Sequence, residues 1–113
     1  MSLDVDLMVT RPTSVYSGNI THNLGKMAAA VVLESGLTLY QCMWRPEEVG
    51  ITHASCLGEY LDEAFNILLS DPEKYKKYNP ENGWGSYDGL VDFVYKYRNA
   101  CWDNPEAELR VSR

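Results

Sequence analysis

Leu3, Val5, Leu7 and Val9 alternate with Asp4, Asp6, Met8 and Thr10. This period-two pattern predicts a strand with one buried face, ended by Pro12. Near the other terminus Ala107, Leu109 and Val111 alternate with Glu108, Arg110 and Ser112, predicting a second short strand able to pair with the first. Paired so, Arg110 lies across from Asp4 or Asp6, an exposed contact worth roughly a few tenths of a kcal/mol. The alternative is that both polar faces are simply solvated.

Between the strands the apolar spacing turns helical. Leu24, Met27, Ala28, Val31 and Val32 predict a first helix from about Thr21 to Glu34, with Gly36 as its stop. Gly25 inside that run weakens it by about 1 kcal/mol relative to Ala. Leu37 to Trp44 is β-prone or irregular and closes on Arg45-Pro46. The strongest helix runs from Ile51 to Ser70, where Ala54, Leu57, Leu61, Ala64, Phe65 and Leu68 form one stripe and Glu59, Asp62, Glu63 and Asn66 take other faces. Asp71-Pro72 ends it and starts a short helical turn through Tyr78, with Asp71 as N-cap. Ser86 caps a final helix through about Trp102 that buries Leu90, Val91, Val94, Tyr97 and Cys101, and Asn104-Pro105 terminates it. The expected architecture is α+β: one domain over residues 1–113, with three main helices packed on a small sheet formed by the N- and C-terminal strands.

Composition narrows the functional classes. A chain of 113 residues with 45% hydrophobic and 23% charged positions can bury one core without metal or disulfide support. Its net charge is −6, and its ten Lys and Arg are scattered apart from Lys74, Lys76 and Lys77. That pattern argues against a nucleic-acid partner. Cys42, Cys56 and Cys101 match no zinc spacing, and with no signal peptide they read as reduced thiols filling the core. No run approaches the roughly 20 apolar residues of a membrane span. The expectation is a soluble cytoplasmic protein with no cofactor and no metal.

Candidate chemistry concentrates in three segments. Tyr16-Ser17-Gly18-Asn19-Ile20-Thr21-His22-Asn23 places hydroxyls, amides and an imidazole ahead of the first expected helix. One Asn or Thr suffices to cap a helix, and the remainder suit a polar or anionic ligand held at its N-terminus. His22 is a candidate general base, with Ser17 and Thr21 the only nearby nucleophiles and His53 a candidate partner. In Trp44-Arg45-Pro46-Glu47-Glu48, Arg45 offers a planar cation and Trp44 a stacking surface; alternatively Arg45 ties to Glu47 or Glu48. Asn79 to Tyr87 contributes Asn82, Trp84 and Tyr87 to the same stacking idea, or the loop tucks its aromatics into the core.

Together Val15-Tyr16-Ser17-Gly18-Asn19-Ile20-Thr21-His22-Asn23-Leu24, Trp44-Arg45-Pro46-Glu47-Glu48 and Asn79-Pro80-Glu81-Asn82-Gly83-Trp84-Gly85-Ser86-Tyr87-Asp88-Gly89-Leu90-Val91 resemble a family of small uncharacterised proteins of bacteriophage and prophage genomes. The ends Asp4-Val5-Asp6-Leu7 and Arg110-Val111-Ser112-Arg113 look similar to that family's ends, so the resemblance spans nearly the whole chain. It brings no established activity. It implies a viral origin and, by analogy with small phage accessory proteins, a role against host defence.

The leading expectation is a non-enzymatic protein that binds a polar or nucleotide-like small molecule. Its ligand residues are Tyr16, Asn19, Thr21, His22, Asn23, Trp44, Arg45, Asn82, Trp84 and Tyr87. The alternatives are an acidic inhibitor that meets a host protein through Glu59, Asp62, Glu63 and Asp92, and a small hydrolase or transferase using His22. The oligomeric state is not legible in the sequence.

Overall fold

The computed structural model describes residues 1–10 and 13–113. Strand β1 (Ser2–Thr10) is the centre of a three-stranded sheet in the order β2-β1-β3. It pairs antiparallel with β2 (Thr13–Thr21) on one side and β3 (Glu108–Ser112) on the other. The alternation read from the sequence dictates this outcome. Leu3, Val5 and Leu7 are fully buried and stand in register with Ile20, Gly18 and Tyr16 of β2. On β3, Val111 and Leu109 face Val5 and Leu7. Arg110 stands in register with Asp6. Asp6 accepts hydrogen bonds from the hydroxyls of Ser14 and Ser17.

The terminal strands therefore pair as expected, and the α+β class holds. The sheet also has a third strand. Thr13–Thr21, whose polar part was expected to lead into a helix starting near Thr21, is extended throughout. The expected strand stop at Pro12 lies outside the described residues.

Helices cover one face of the sheet. After a 3₁₀ turn over His22–Leu24 come α1 (Gly25–Ala30) and α2 (Leu39–Trp44). The first helix is shorter than its apolar spacing suggested. Val31 turns extended, and Val32 bridges to Thr38 across a turn in which Gly36 takes a positive φ. β-branched residues tolerate that extension well. The undecided segment before Trp44 is helical because Thr38 and Gln41 form a reciprocal capping box.

The longest elements are α3 (Ala54–Ser70) and α5 (Tyr87–Asp103), which pack against each other; α4 (Pro72–Lys76) joins them. α3 buries Ala54, Leu57, Leu61, Ala64 and Leu68. α5 buries Leu90, Phe93, Val94, Tyr97 and Cys101. Asp71 and Ser86 cap α4 and α5 by accepting from the backbone N–H of Lys74 and Gly89. The other sheet face, with Asp4, Ser17, Asn19, Arg110 and Ser112, is exposed. No helix among the described residues is long and apolar enough to cross a membrane.

Candidate functional site

The 3₁₀ turn at His22–Leu24 is where the three sequence segments meet, and it sends their side chains in different directions. On one side lies a cleft of about 360 Å³ lined by Met1, His22, Tyr40, Trp44, Arg45 and Arg113. Trp44 is buried beneath it. Its indole N–H donates to Nδ1 of His22 at 2.7 Å. An indole N–H can only donate, so Nδ1 must accept, and the neutral imidazole carries its proton on Nε2. Tyr40 stacks on Trp44 with ring centroids 5.2 Å apart and planes 12° from parallel.

The two guanidinium groups are held from the rim. Arg45 donates to Glu48 at 2.8 Å, the structural tie the sequence allowed. Glu48 first, then the Tyr40 hydroxyl, raise the Arg45 pKa above its ordinary value. Arg113 donates to the Trp44 carbonyl at 2.7 Å and to both Glu47 oxygens near 3 Å. Its hydrogen bond holds the Glu47 carboxyl below the usual range. Each guanidinium has five N–H donors, more than the contacts just described can use. The cleft thus gathers two planar cations, an imidazole N–H and a phenol. That set suits a carboxylate or phosphate oxygen.

On the other side of the turn, Asn23 donates its side-chain amide to the Trp84 carbonyl at 3.4 Å. Asn82 accepts from the Trp84 backbone N–H at 2.9 Å, closing the loop. Trp84 itself is 71% exposed. Gly85 has φ +106° and abuts Thr21 and Leu24, where a Cβ would sit 2.9 Å from Thr21 Cγ2. Only glycine fits that approach in that backbone conformation. Beyond it a groove of about 470 Å³ runs between β2 and the first turns of α5, with Tyr16, Asn19 and Thr21 along its strand side.

Several expectations are corrected by this geometry. The three segments do not form one pocket: His22, Trp44 and Arg45 share a cleft that includes none of Tyr16, Asn19, Thr21, Asn23, Asn82, Trp84 or Tyr87. Asn19 does not sit at a helix start. It is mid-strand and donates to the Ser2 hydroxyl and the Asp4 carboxylate. Thr21 accepts from the Asn23 N–H as a cap of the short turn. Trp44 cannot stack on a ligand, because it is 2% exposed beneath Tyr40. Tyr16 stacks on Tyr97, and burial raises its pKa. Tyr87 is buried and donates its hydroxyl to the Leu68 carbonyl, so it too is structural. His53 is exposed beside Thr52 and lines a separate hollow near β3. Cys42 and Cys101 fill the core as expected, whereas Cys56 is exposed.

Tyr40 and Arg113 line the cleft but are not among the residues singled out from the sequence. Tyr40 and Trp44 are four apart, the spacing of one helix face. The Thr38-Leu39-Tyr40-Gln41 capping box was the signal for that helix. Nothing in the local sequence marks Arg113, which reaches the cleft because β3 returns beside β1.

Among the described residues no three or more His, Cys, Asp or Glu side chains are grouped to hold a metal ion. Comparisons with protein-family models, with curated proteins and with solved structures find no match to this chain.

Proposed function

We propose that this chain is a non-enzymatic binding protein that holds a small anionic molecule in the cleft between His22, Tyr40, Arg45 and Arg113. The observation that carries the reading is the convergence of two guanidinium groups and a tautomer-fixed imidazole on one cleft of a chain whose net charge is −6. The cleft volume lies at the low end of small-molecule sites, so the ligand is a compact phosphate or carboxylate carrying at most one ring system. A nucleotide-like molecule meets that description, with its phosphate on the arginines and its ring against Tyr40.

Binding is favoured over catalysis because the cleft residues include no carboxylate, thiol or aliphatic hydroxyl. His22 is oriented by an indole rather than by an acid, unlike the orientation of a catalytic base by a carboxylate. The acidic-inhibitor alternative is weakened by the helix carboxylates themselves. Asp62 pairs with Arg98, Asp92 with Lys96, and Glu63 accepts from the Glu34 backbone N–H, which leaves Glu59 alone of the four. Sequestration of a host signal would be the biological setting if the chain has the phage or prophage origin that its motifs imply.

The test is native mass spectrometry joined to thermal-shift screening with inorganic phosphate, nucleoside monophosphates and cyclic nucleotides. A ligand specific to the folded state raises the melting temperature by mass action. Removing one charge-assisted contact at Arg45→Ala or Arg113→Ala should weaken binding roughly tenfold or more. Glu47→Gln should strengthen it by releasing Arg113. Stabilisation that survives both arginine substitutions would sink the assignment.

A further inference from the structure

The two edges of the sheet are treated differently. Outside β3, the Leu109 backbone N–H donates to the Thr52 carbonyl at 2.9 Å and His53 bridges to Glu108, so that edge is covered. Outside β2, no strand pairs among the described residues. An edge strand leaves half of its backbone donors and acceptors unpaired, and proteins ordinarily protect such edges with charges, proline or a covering element. β2 is nine residues long and contains neither proline nor a charged side chain. It lies within Pro12 to Gly25, the longest stretch of the chain without Asp, Glu, Lys or Arg. A bulge at Val15 interrupts the pairing at one end only, leaving Tyr16 to Thr21 in continuous register with β1.

We propose that a second copy of this chain pairs with the β2 edge, antiparallel about a twofold axis, to make a six-stranded sheet. Charge selects this occupant. Two chains of net charge −6 repel, and β2 is where they can meet without opposing any charge. The nearest strand carboxylates, Asp4 and Asp6, are on β1. In the paired sheet the two β1 strands are three spacings apart, roughly 14 Å, which exceeds the screening length of about 8 Å at physiological salt. Asp92 on the adjacent α5 is neutralised by Lys96 at 2.9 Å.

The strand is also its own complement. Pairing about Gly18 sets Ser17 opposite Asn19 of the other copy on the open face, hydroxyl against amide. It sets Tyr16 opposite Ile20 on the helix-covered face, apolar against apolar. Gly18 keeps the centre narrow, since a Cβ there would already lie 3.0 Å from the Tyr16 hydroxyl and 3.1 Å from Phe93.

Light scattering after size-exclusion chromatography tests this from micromolar to millimolar protein. The wild type should reach twice the one-chain mass as concentration rises. Ser17 and Asn19 are exposed, so Ser17→Lys/Asn19→Lys should keep the fold, place like charges opposite each other and return the protein to one-chain mass; Ser17→Thr/Asn19→Thr should remain dimeric. Amide exchange on the wild type gives an independent readout: alternate β2 amides should slow with concentration while those of α3 do not. A wild type that stays at one-chain mass throughout overturns the proposal. So does a dimer that survives the double lysine substitution, or β2 exchange rates independent of concentration.

Discussion

Replacing Tyr97 with phenylalanine should stabilise the protein. Tyr97 is fully buried in α5, stacked on Tyr16 at 5.7 Å and met by the edge of Phe93 at 5.8 Å. Its hydroxyl is buried without a hydrogen-bond partner among the described residues. Burial first, then Cys101, Tyr16 and Asp6, raise its pKa well above the ordinary 10.0. An unpaired buried polar group costs roughly 1–3 kcal/mol, because the unfolded chain hydrates it and the folded chain does not. Deleting the oxygen leaves a void of order 10 Å³, worth only about 0.2 kcal/mol at roughly 24 cal/mol per Å³. Tyr97→Phe should therefore gain about 1 kcal/mol, seen as a rise of roughly 4 °C in the circular-dichroism melt. In urea the midpoint should rise with an unchanged slope.

A second signature follows from linkage. Because the folded-state pKa is raised, the unfolded chain ionises Tyr97 first as pH climbs past 10, and the wild type loses stability there. The phenylalanine variant lacks that contribution, so its advantage should widen in alkali. A variant less stable than the wild type at neutral pH would refute the reasoning by showing that the hydroxyl is satisfied.

Arg98 packs its guanidinium 4.8 Å from Phe65, 5.1 Å from Tyr95 and 4.4 Å from Trp102, and pairs with Asp62 at 3.0 Å. Arg98→Ala should cost about 2 kcal/mol in urea unfolding, and Arg98→Lys should recover less than half, since an ammonium presents no plane to the rings. Gly85→Ala should cost about 2 kcal/mol, because φ is +106° and the new methyl meets Thr21 and Leu24; a cost below about 0.5 kcal/mol would mean that the 79–86 loop yields freely. A thiol reagent at neutral pH should label Cys56 alone in the native protein and all three cysteines in denaturant. Burial holds Cys42 and Cys101 at about 12, so their stability contribution is complete below pH 9 and declines as pH rises toward 12. Rapid native labelling of two thiols would contradict the packing.

Residues whose side chains report their surroundings made much of the fold legible. The Leu3-Val5-Leu7 alternation, the Ala54 to Leu68 stripe and the caps at Asp71 and Ser86 each carry a periodic or capping signal, and each element forms where that signal lies. β2 escaped because its core-facing positions are Tyr16, Gly18 and Ile20: glycine contributes no apolar side chain, and its space is filled by Tyr16 and Phe93. Of the hydroxyls and amides expected to form a ligand cluster, those of Ser17 and Asn19 lie on the solvent face of an edge strand. The first helix was overextended because Val31 and Val32 keep helical spacing while adopting extended backbone.

The candidate site was legible by half. His22, Trp44 and Arg45 do come together, because the 3₁₀ turn carries His22 onto the indole. Tyr40 depended on reading α2 as a helix, and Arg113 on knowing that β3 returns to β1, a long-range pairing that no local window contains. In the Asn79 to Tyr87 loop, the Asn79 and Asn82 side chains serve the loop's own closure and Tyr87 serves the core, while the Trp84 indole is exposed outside the cleft.

The most direct test of the anion-binding account is a nitrogen-resolved NMR titration of the wild type with adenosine monophosphate, following the Trp44 indole N–H and the His22 ring nitrogens. The account predicts saturable shifts at both that vanish in Arg45→Ala/Arg113→Ala. Silence at Trp44 and His22, or shifts confined to the β2–α5 groove, would contradict it.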